Sequence, residues 1–329
     1  MKISSSVKTV ALRSALALVA SWLPASGQAA GSRTFDRDVP LRQWAAENGF
    51  KYAGSGNDMG LVFTNASAEV AFKTNSPLAK INGVRVWLCD PVVMHGDEPC
   101  ISLLDLRTTI KPLLAPQPAK FSAAICLDPG HGGKDTGGVV GKLEEKQLTL
   151  PLARELAGQL AAAGFNALLT RTNDTYVELE SRPAFANHNH AGLFISLHFN
   201  VGVPGEARGV EVYCLTPAKA ASTNAKRNTG DERRLPGNRQ DAQNVLLAYQ
   251  LQKSLVKNLG AEDRGLRRAR FEVLRTAQMP AVLIEGGFLS DAAEQKQIAD
   301  PNYRRQLAAA IVQGVLAYQR AVNHSTAKA

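Results

Sequence analysis

Cysteine is scarce, with four residues in 329 and no Cys-x-x-Cys pair. That scarcity excludes a disulfide-dense mini-protein, a thiolate metal knuckle and a thioredoxin-like redox motif. No apolar run reaches the roughly 20 residues that a bilayer span needs, so no integral membrane segment is expected in the mature protein. Neither a Gly-X-Y period nor a sustained heptad occurs, which removes collagen-like and coiled-coil architectures. Aromatic residues are only 6% of the chain and are not interleaved with basic ones. The formal charge of +9 is therefore weak support for nucleic-acid binding, and none is expected.

Acidic residues are absent before Asp36, whereas Lys2, Lys8 and Arg13 open the chain. An apolar run from Ala15 to Leu23 follows, then Pro24 and the small-residue stretch Ala25 to Ala30. This order predicts a secretory signal over residues 1–30, cut after Ala29 or Ala30, and an exported protein, periplasmic or at the cell wall. The signal carries +3 of the charge. Residues 31–120 hold ten basic and nine acidic groups, and residues 121–329 hold twenty-five and twenty. In an oxidising compartment Cys89 and Cys100, on either side of Asp97-Glu98-Pro99, could pair as a disulfide. Cys126 and Cys214 lie in apolar runs and read as small buried hydrophobes.

Pro112, Pro116 and Pro118 predict a semi-rigid linker over residues 113–120. It separates a small α+β module, residues 34–112, from a larger part, residues 121–322. In the module a helix is expected over Leu41–Asn48 with Gly49 as its cap, followed by strands at Gly60–Thr64, Glu69–Lys73 and Val84–Leu88. Asn82-Gly83 is a tight-turn pair, and Ser102 with Asp105 resembles a capping box. The layout resembles the copper amine oxidase N-terminal-like domain found on exported cell-wall proteins, which implies a binding or positioning role. No copper site is expected, because His95 is the module's only histidine.

The larger part alternates short apolar runs (Ala123–Leu127, Ala167–Thr170, Leu193–Leu197, Val210–Leu215 and Ala281–Ile284) with helix-length segments at Leu152–Ala163, Asp241–Leu259 and Tyr303–Arg320. This predicts an α/β fold, a mostly parallel twisted sheet with helices on both faces. An interior proline costs a helix about 3 kcal/mol, so the first helix is expected to start near Thr149, with Pro151 in its first turn.

Open α/β sheets bind ligands at the carboxyl ends of their strands. There stand His131 in Asp128-Pro129-Gly130-His131-Gly132-Gly133, His198 in Ser196-Leu197-His198-Phe199-Asn200, and Glu285 before Gly286-Gly287. Glu145 precedes the first helix. Two imidazoles and a carboxylate make an open zinc site, and a further carboxylate can act as general base. His188 and His190 are poorer ligand candidates, because two residues apart on a helix they face different ways.

The runs DPGHGGKDTGG, Glu145-Lys146, TRTNDTYVELESRPAFAN, FISLHFN and MPAVLIEGGFLSD together resemble the zinc-dependent N-acetylmuramoyl-L-alanine amidases, amidase type 3. They occur in family order over about 170 residues. The resemblance implies one zinc ion held by His131, Glu145 and His198, with Glu285 as the catalytic carboxylate. Glu144 directly precedes Glu145, and Lys146 favours the latter. The implied reaction hydrolyses the amide between N-acetylmuramic acid and the L-alanine of the peptidoglycan stem peptide. Asn200, Arg233 and Arg234 are candidate substrate contacts, and no motif identifies an activator protein.

Two arginine-rich stretches, Thr216–Gln240 and Arg264–Arg275, could meet an anionic wall polymer or be ordinary solvated segments. Two other functions compete. One is another exported zinc peptidase, cutting between amino acids as a carboxypeptidase or endopeptidase. The other is a non-catalytic wall-binding module.

Overall fold

A computed structural model describes residues 38–54, 59–223, 225 and 233–324. The expected signal over residues 1–30 lies outside them. So do Lys226, Arg227, Asp231 and Glu232 of the first arginine-rich stretch.

The N-terminal part runs β1 (Asp38–Pro40), α1 (Leu41–Glu47), β2 (Lys51–Gly54), β3 (Leu61–Thr64), β4 (Glu69–Phe72), β5 (Ser76–Ile81), β6 (Val84–His95) and β7 (Glu98–Ser102). A broken helix closes it, with α2 (Leu103–Asp105), a π-helical turn (Leu106–Ile110) and α3 (Lys111–Leu114). Residues 115–120 have no regular structure. Next come β8 (Ala124–Pro129), β9 (Val139–Val140), β10 (Leu143–Glu144), α4 (Lys146–Ala162), β11 (Asn166–Leu169), α5 (Ser181–His188), β12 (Leu193–Asn200) and β13 (Val210–Leu215). The chain ends with a 3₁₀ turn (Pro236–Gln240), α6 (Asp241–Leu259), β14 (Asp263–Ala269), α7 (Glu272–Arg275), β15 (Ala281–Phe288), α8 (Ala292–Ala299) and α9 (Pro301–His324).

Strands β2 to β6 form an antiparallel meander, each paired with the next in chain order. Asn82 and Gly83 both take positive φ, +47° and +81°, between the paired Ile81 and Val84. That is the turn geometry whose twist suits a hairpin. The Ser102 hydroxyl accepts from the Asp105 amide and caps the closing helix as expected.

Strands β8, β11, β12 and β15 are mutually parallel, as helical crossovers require. β13 runs antiparallel to β15, and β14 is parallel to β13. The sheet does not stop there. β14 pairs in parallel with β6 through Leu266 and Val86, so one sheet runs β11-β8-β12-β15-β13-β14-β6-β5-β4-β3-β2.

Alternate strand residues feed two cores. Ile125, Leu127, Ile195, Leu197, Val282 and Ile284 pack under α4, α6 and α9. Cys126, Phe194, Tyr213, Ala281 and Leu283 pack with Ala186 of α5 and Val273 of α7. Helices thus cover both faces. No helix among the described residues is long and apolar enough to cross a membrane.

Three expectations are corrected. Helix α4 starts at Lys146 and contains Pro151 in its interior. Its early start places Glu145 at the helix N-terminus. Cys89 and Cys100 are free. Cys100 pairs with Val93 in the β6–β7 register, leaving Cys89 four residues along β6, roughly 13 Å away at about 3.3 Å per residue. A bridge needs Cα atoms within about 7 Å. Finally, Arg264, Arg267 and Arg268 belong to strand β14, which hydropathy hid because Asp263-Arg264-Gly265-Leu266-Arg267-Arg268-Ala269 shows no apolar alternation.

Candidate metal and hydrolytic site

The site continues the smaller core face to the strands' carboxyl ends. Along β12, Phe194, Ser196 and His198 share that face; along β15, Ala281, Leu283 and Glu285 share it. His198 and Glu285 are direct register partners, followed by an irregularity before Asn200. His131 arrives from the loop after β8 with φ +62°, a left-handed conformation unusual for a side-chain-bearing residue.

Glu145 is the hub. Its Oε2 lies 3.0 Å from His131 Nε2 and accepts from the Gly138 amide. Its Oε1 lies 2.9 Å from His198 Nδ1 and accepts from the Phe199 amide. One ligand atom from each of His131, Glu145 and His198 lies within 4.8 Å of the others. Burial alone would raise the Glu145 carboxyl, but the two imidazoles outweigh it and hold it well below the usual carboxylate range. Burial would likewise lower His131, yet Glu145 and Asp135, whose Oδ2 is 3.0 Å from His131 Nδ1, raise it. Glu144 points elsewhere, 3.4 Å from Lys146 Nζ.

The glycines have a concrete use. A Cβ on Gly130 would stand 2.3–2.7 Å from the His198 ring, and one on Gly137 would stand 2.5 Å from His131 and 2.6 Å from Glu145. What approaches these glycines closely is the site itself.

Glu285 stands between an imidazole and a carboxylate. Its register partners are His198 on one side and Glu211 on the other. Burial, then the charges of Glu145 and Glu211, push its carboxyl well above the ordinary value. Its Oε2 is shielded from solvent and makes no hydrogen bond within the described residues. A group whose proton affinity is raised and whose oxygen is unclaimed is suited to moving protons.

Several supporting residues inside the quoted motifs escaped the sequence reading. Asp128 is fully buried; its Oδ1 accepts from Thr170 Oγ1 and Arg182 Nη1, and its Oδ2 accepts from Ser196 Oγ. Arg182 also donates to the Pro129, His131 and Val177 carbonyls, while Arg171 donates to those of Pro129 and Gly130. Two arginines therefore clamp the backbone that carries His131. Lys146 Nζ donates to the Gly133 carbonyl and to Asp174, which accepts from the Gly133 amide. A charged residue set among apolar motif residues was the available signal.

The remaining candidates lie outside the His131–Glu145–His198 cluster. Asn200 donates through Nδ2 to Glu211 Oε1 and accepts the Val201 amide on Oδ1. Arg233 and Arg234 are exposed just before the 3₁₀ turn, where Arg234 acts on the Asp241 carboxyl. His188 and His190 are exposed and outside the cluster. The second arginine-rich stretch is not a free basic patch. Arg264 and Arg267 meet Glu211, the fully buried Arg268 donates to Thr108 and Thr109, and Arg270 donates to the Pro217 and Ala220 carbonyls.

An open two-histidine, one-glutamate cluster beside a buried carboxylate, on a mostly parallel α/β sheet, is a donor set able to hold a metal ion next to a group that can move protons. Residues 125–317 match the family model described as N-acetylmuramoyl-L-alanine amidase, and the chain belongs to that family. The N-acetylmuramoyl-L-alanine amidase AmiC of Neisseria meningitidis is 34% identical over 275 residues, covering 72% of this chain and 65% of its own length. The amidase LytC of Bacillus subtilis is 34% identical over 196 residues, 60% of this chain and 35% of its own. The crystal structure of an N-acetylmuramoyl-L-alanine amidase from Clostridium difficile is similar at a TM-score of 0.51 and 34% identity, covering 61% of this chain and 98% of that one. The chain thus spans less than two thirds of these two curated relatives.

Proposed function

We propose that this protein is an exported peptidoglycan hydrolase that cleaves the amide between N-acetylmuramic acid and L-alanine, using one zinc ion held by His131, Glu145 and His198. The observation that carries the reading is the adjacency of that triad to Glu285, in register beside His198 with an unclaimed oxygen. The donor set suits zinc: two borderline-soft nitrogens and one carboxylate leave a fourth position open. When bound, the ion supplies Lewis acidity for a scissile carbonyl and for water beside it.

Glu285 takes the proton from the attacking water and returns it to the departing alanine nitrogen. Its raised proton affinity suits it to hold that proton between the two transfers. Asp135 and the arginine-clamped loop orient His131, and the Phe199 and Gly138 amides orient Glu145. Asn200, Arg233 and Arg234 are assigned to substrate, the arginines to stem-peptide carboxylates. Residues 34–112 act as a positioning module, 113–120 as linker, its first two residues ending α3, and 121–322 as the catalytic unit.

Digestion of purified peptidoglycan with and without chelator, followed by mass analysis of the products, tests the proposal. The expected products are stem peptides with free L-alanine amines and glycans with intact lactyl groups, formed only when metal is present. New ends between two amino acids would establish a peptidase instead. No products from metal-loaded protein would establish a binding module.

A further inference from the structure

The N-terminal module does not hang from the catalytic part; it completes a row of residues that ends at the active carboxylate. Across four adjacent strands, on one face of the sheet, Glu285 of β15 pairs with Glu211 of β13, and Glu211 pairs with Gly265 of β14. Leu266, the next residue of β14, pairs with Val86 of β6, which places Trp87 beside this row. Gly265 has φ +92°, and a Cβ there would stand 3.0 Å from the Trp87 indole nitrogen and 3.0 Å from Arg85 Cβ. The missing side chain lets the module's strand close against β14.

Trp87 is tied in twice. Its Nε1 donates to the Arg264 carbonyl at 2.9 Å, and the Arg267 guanidinium lies over its ring, 4.9 Å from the centroid. Arg267 Nε and Arg264 Nε each stand 2.9 Å from Glu211 Oε2. Asn200 and Tyr213 donate to the other oxygen of Glu211. Glu211 is 2% exposed and would be costly as a buried anion without these partners. The Arg85 amide donates to Asp263, locking the same seam.

We propose that Trp87 of the N-terminal module is a positioning residue for the hydrolytic site, acting through Arg267 and Glu211 to fix where Glu285 and Asn200 stand. The indole face holds the Arg267 guanidinium against Glu211, and a fixed Glu211 anion orients the Asn200 amide and keeps a like charge on one flank of Glu285. Glu285 is thereby held in register between Glu211 of β13 and His198 of β12. The module then belongs to the catalytic machinery rather than to wall binding alone. This inference rests on the amidase reading above.

The test is a double-mutant cycle on the full-length zinc-loaded protein, using a soluble MurNAc-peptide for which kcat and KM separate. Trp87→Leu is expected to lower kcat roughly three- to tenfold, within the range of couplings between contacting residues, with a smaller rise in KM and zinc stoichiometry unchanged. Trp87→Phe keeps an aromatic face beneath Arg267 and should recover most of the loss. In a Glu211→Gln background the further change to Trp87→Leu should have no effect on kcat, because the path from the indole to the site is already broken. If Glu211→Gln shows no cooperative melting transition, Arg267→Lys takes its place in the cycle. An unchanged kcat in Trp87→Leu overturns the inference, as does a loss that persists in full in the second background. If the wild-type protein itself releases no L-alanine amine, the amidase reading fails first, and the two failures are told apart by that control.

Discussion

His198 of β12 and Glu285 of β15 are register partners on adjacent parallel strands, so a metal-ligand candidate and the proposed proton carrier share one pleat. Replacing Glu285 by Gln keeps the size and removes the proton carrier. Turnover is expected to fall about 10²–10⁴-fold, the usual contribution of a positioned acid–base group, with zinc content unchanged. Metal analysis alongside muropeptide assays checks both halves. A pure variant that still turns over at the wild-type rate would remove Glu285 from the mechanism.

His131→Ala and His198→Ala each delete one of three candidate zinc donors, so both metal and activity should be lost. The expected result is substoichiometric zinc after dialysis, together with loss of the zinc-dependent rise in Tm. A ligand present at about 100 times its Kd stabilises by about 2.7 kcal/mol, which a thermal melt resolves. Full zinc retention in either variant counts against the triad.

Gly130→Ala tests the packing around the cluster rather than its donors. The added methyl would press on the His198 ring at 2.3–2.7 Å, tilting it out of position. Zinc affinity is expected to weaken about 10–100-fold, comparable to losing an orienting partner. Gly158→Ala on the exposed side of α4 meets nothing within 4 Å and serves as the control; it should bind zinc normally and gain about 0.5–1 kcal/mol of stability. Equal zinc affinity in the two variants would show that Gly130 is not needed for space.

Arg182→Met strands the fully buried Asp128 carboxylate, which Thr170 and Ser196 alone cannot balance. Breaking a buried pair from one side costs about 3–5 kcal/mol. The expected outcome is a lowered denaturation midpoint and weaker zinc retention, because the same guanidinium holds the His131 carbonyl. Unchanged unfolding in denaturant would refute this.

Burial, then Glu145 and Glu211, raise the proton affinity of Glu285 in the metal-free protein. A carboxyl raised by folding stabilises the fold while protonated, and that contribution is lost as pH climbs from the ordinary carboxyl value through the raised one. Metal-free Glu285→Gln should therefore melt above the wild type at neutral pH, with the gap closing towards about pH 4. Melting curves at the two pH values decide it; a gap of the same size at both would mean that ionisation is not the cause.

The strongly patterned elements were legible from the chain. Apolar runs of strand length separated by amphipathic segments place β8, β12, β13 and β15, and Asp241–Leu259 matches α6 to the residue. The residues of the site were also legible one by one, because each follows an apolar strand or opens a helix beside glycines. Pattern failed where tertiary contacts outweigh local preference. Strand β14 carries three arginines whose charges meet an interior carboxylate and backbone carbonyls, and α4 starts at Lys146 with Pro151 inside it. Two cysteines near in sequence are kept apart by the β6–β7 register.

The sequence by itself determined which elements form and which side chains can do chemistry, since hydropathy period, turn residues and donor types are local properties. Only the tertiary structure decided that Glu211 faces Glu285, that two arginines clamp the His131 loop, and that β6 extends the catalytic sheet through β14. Those relationships depend on strand order and register across residues far apart in the chain, which no local pattern specifies.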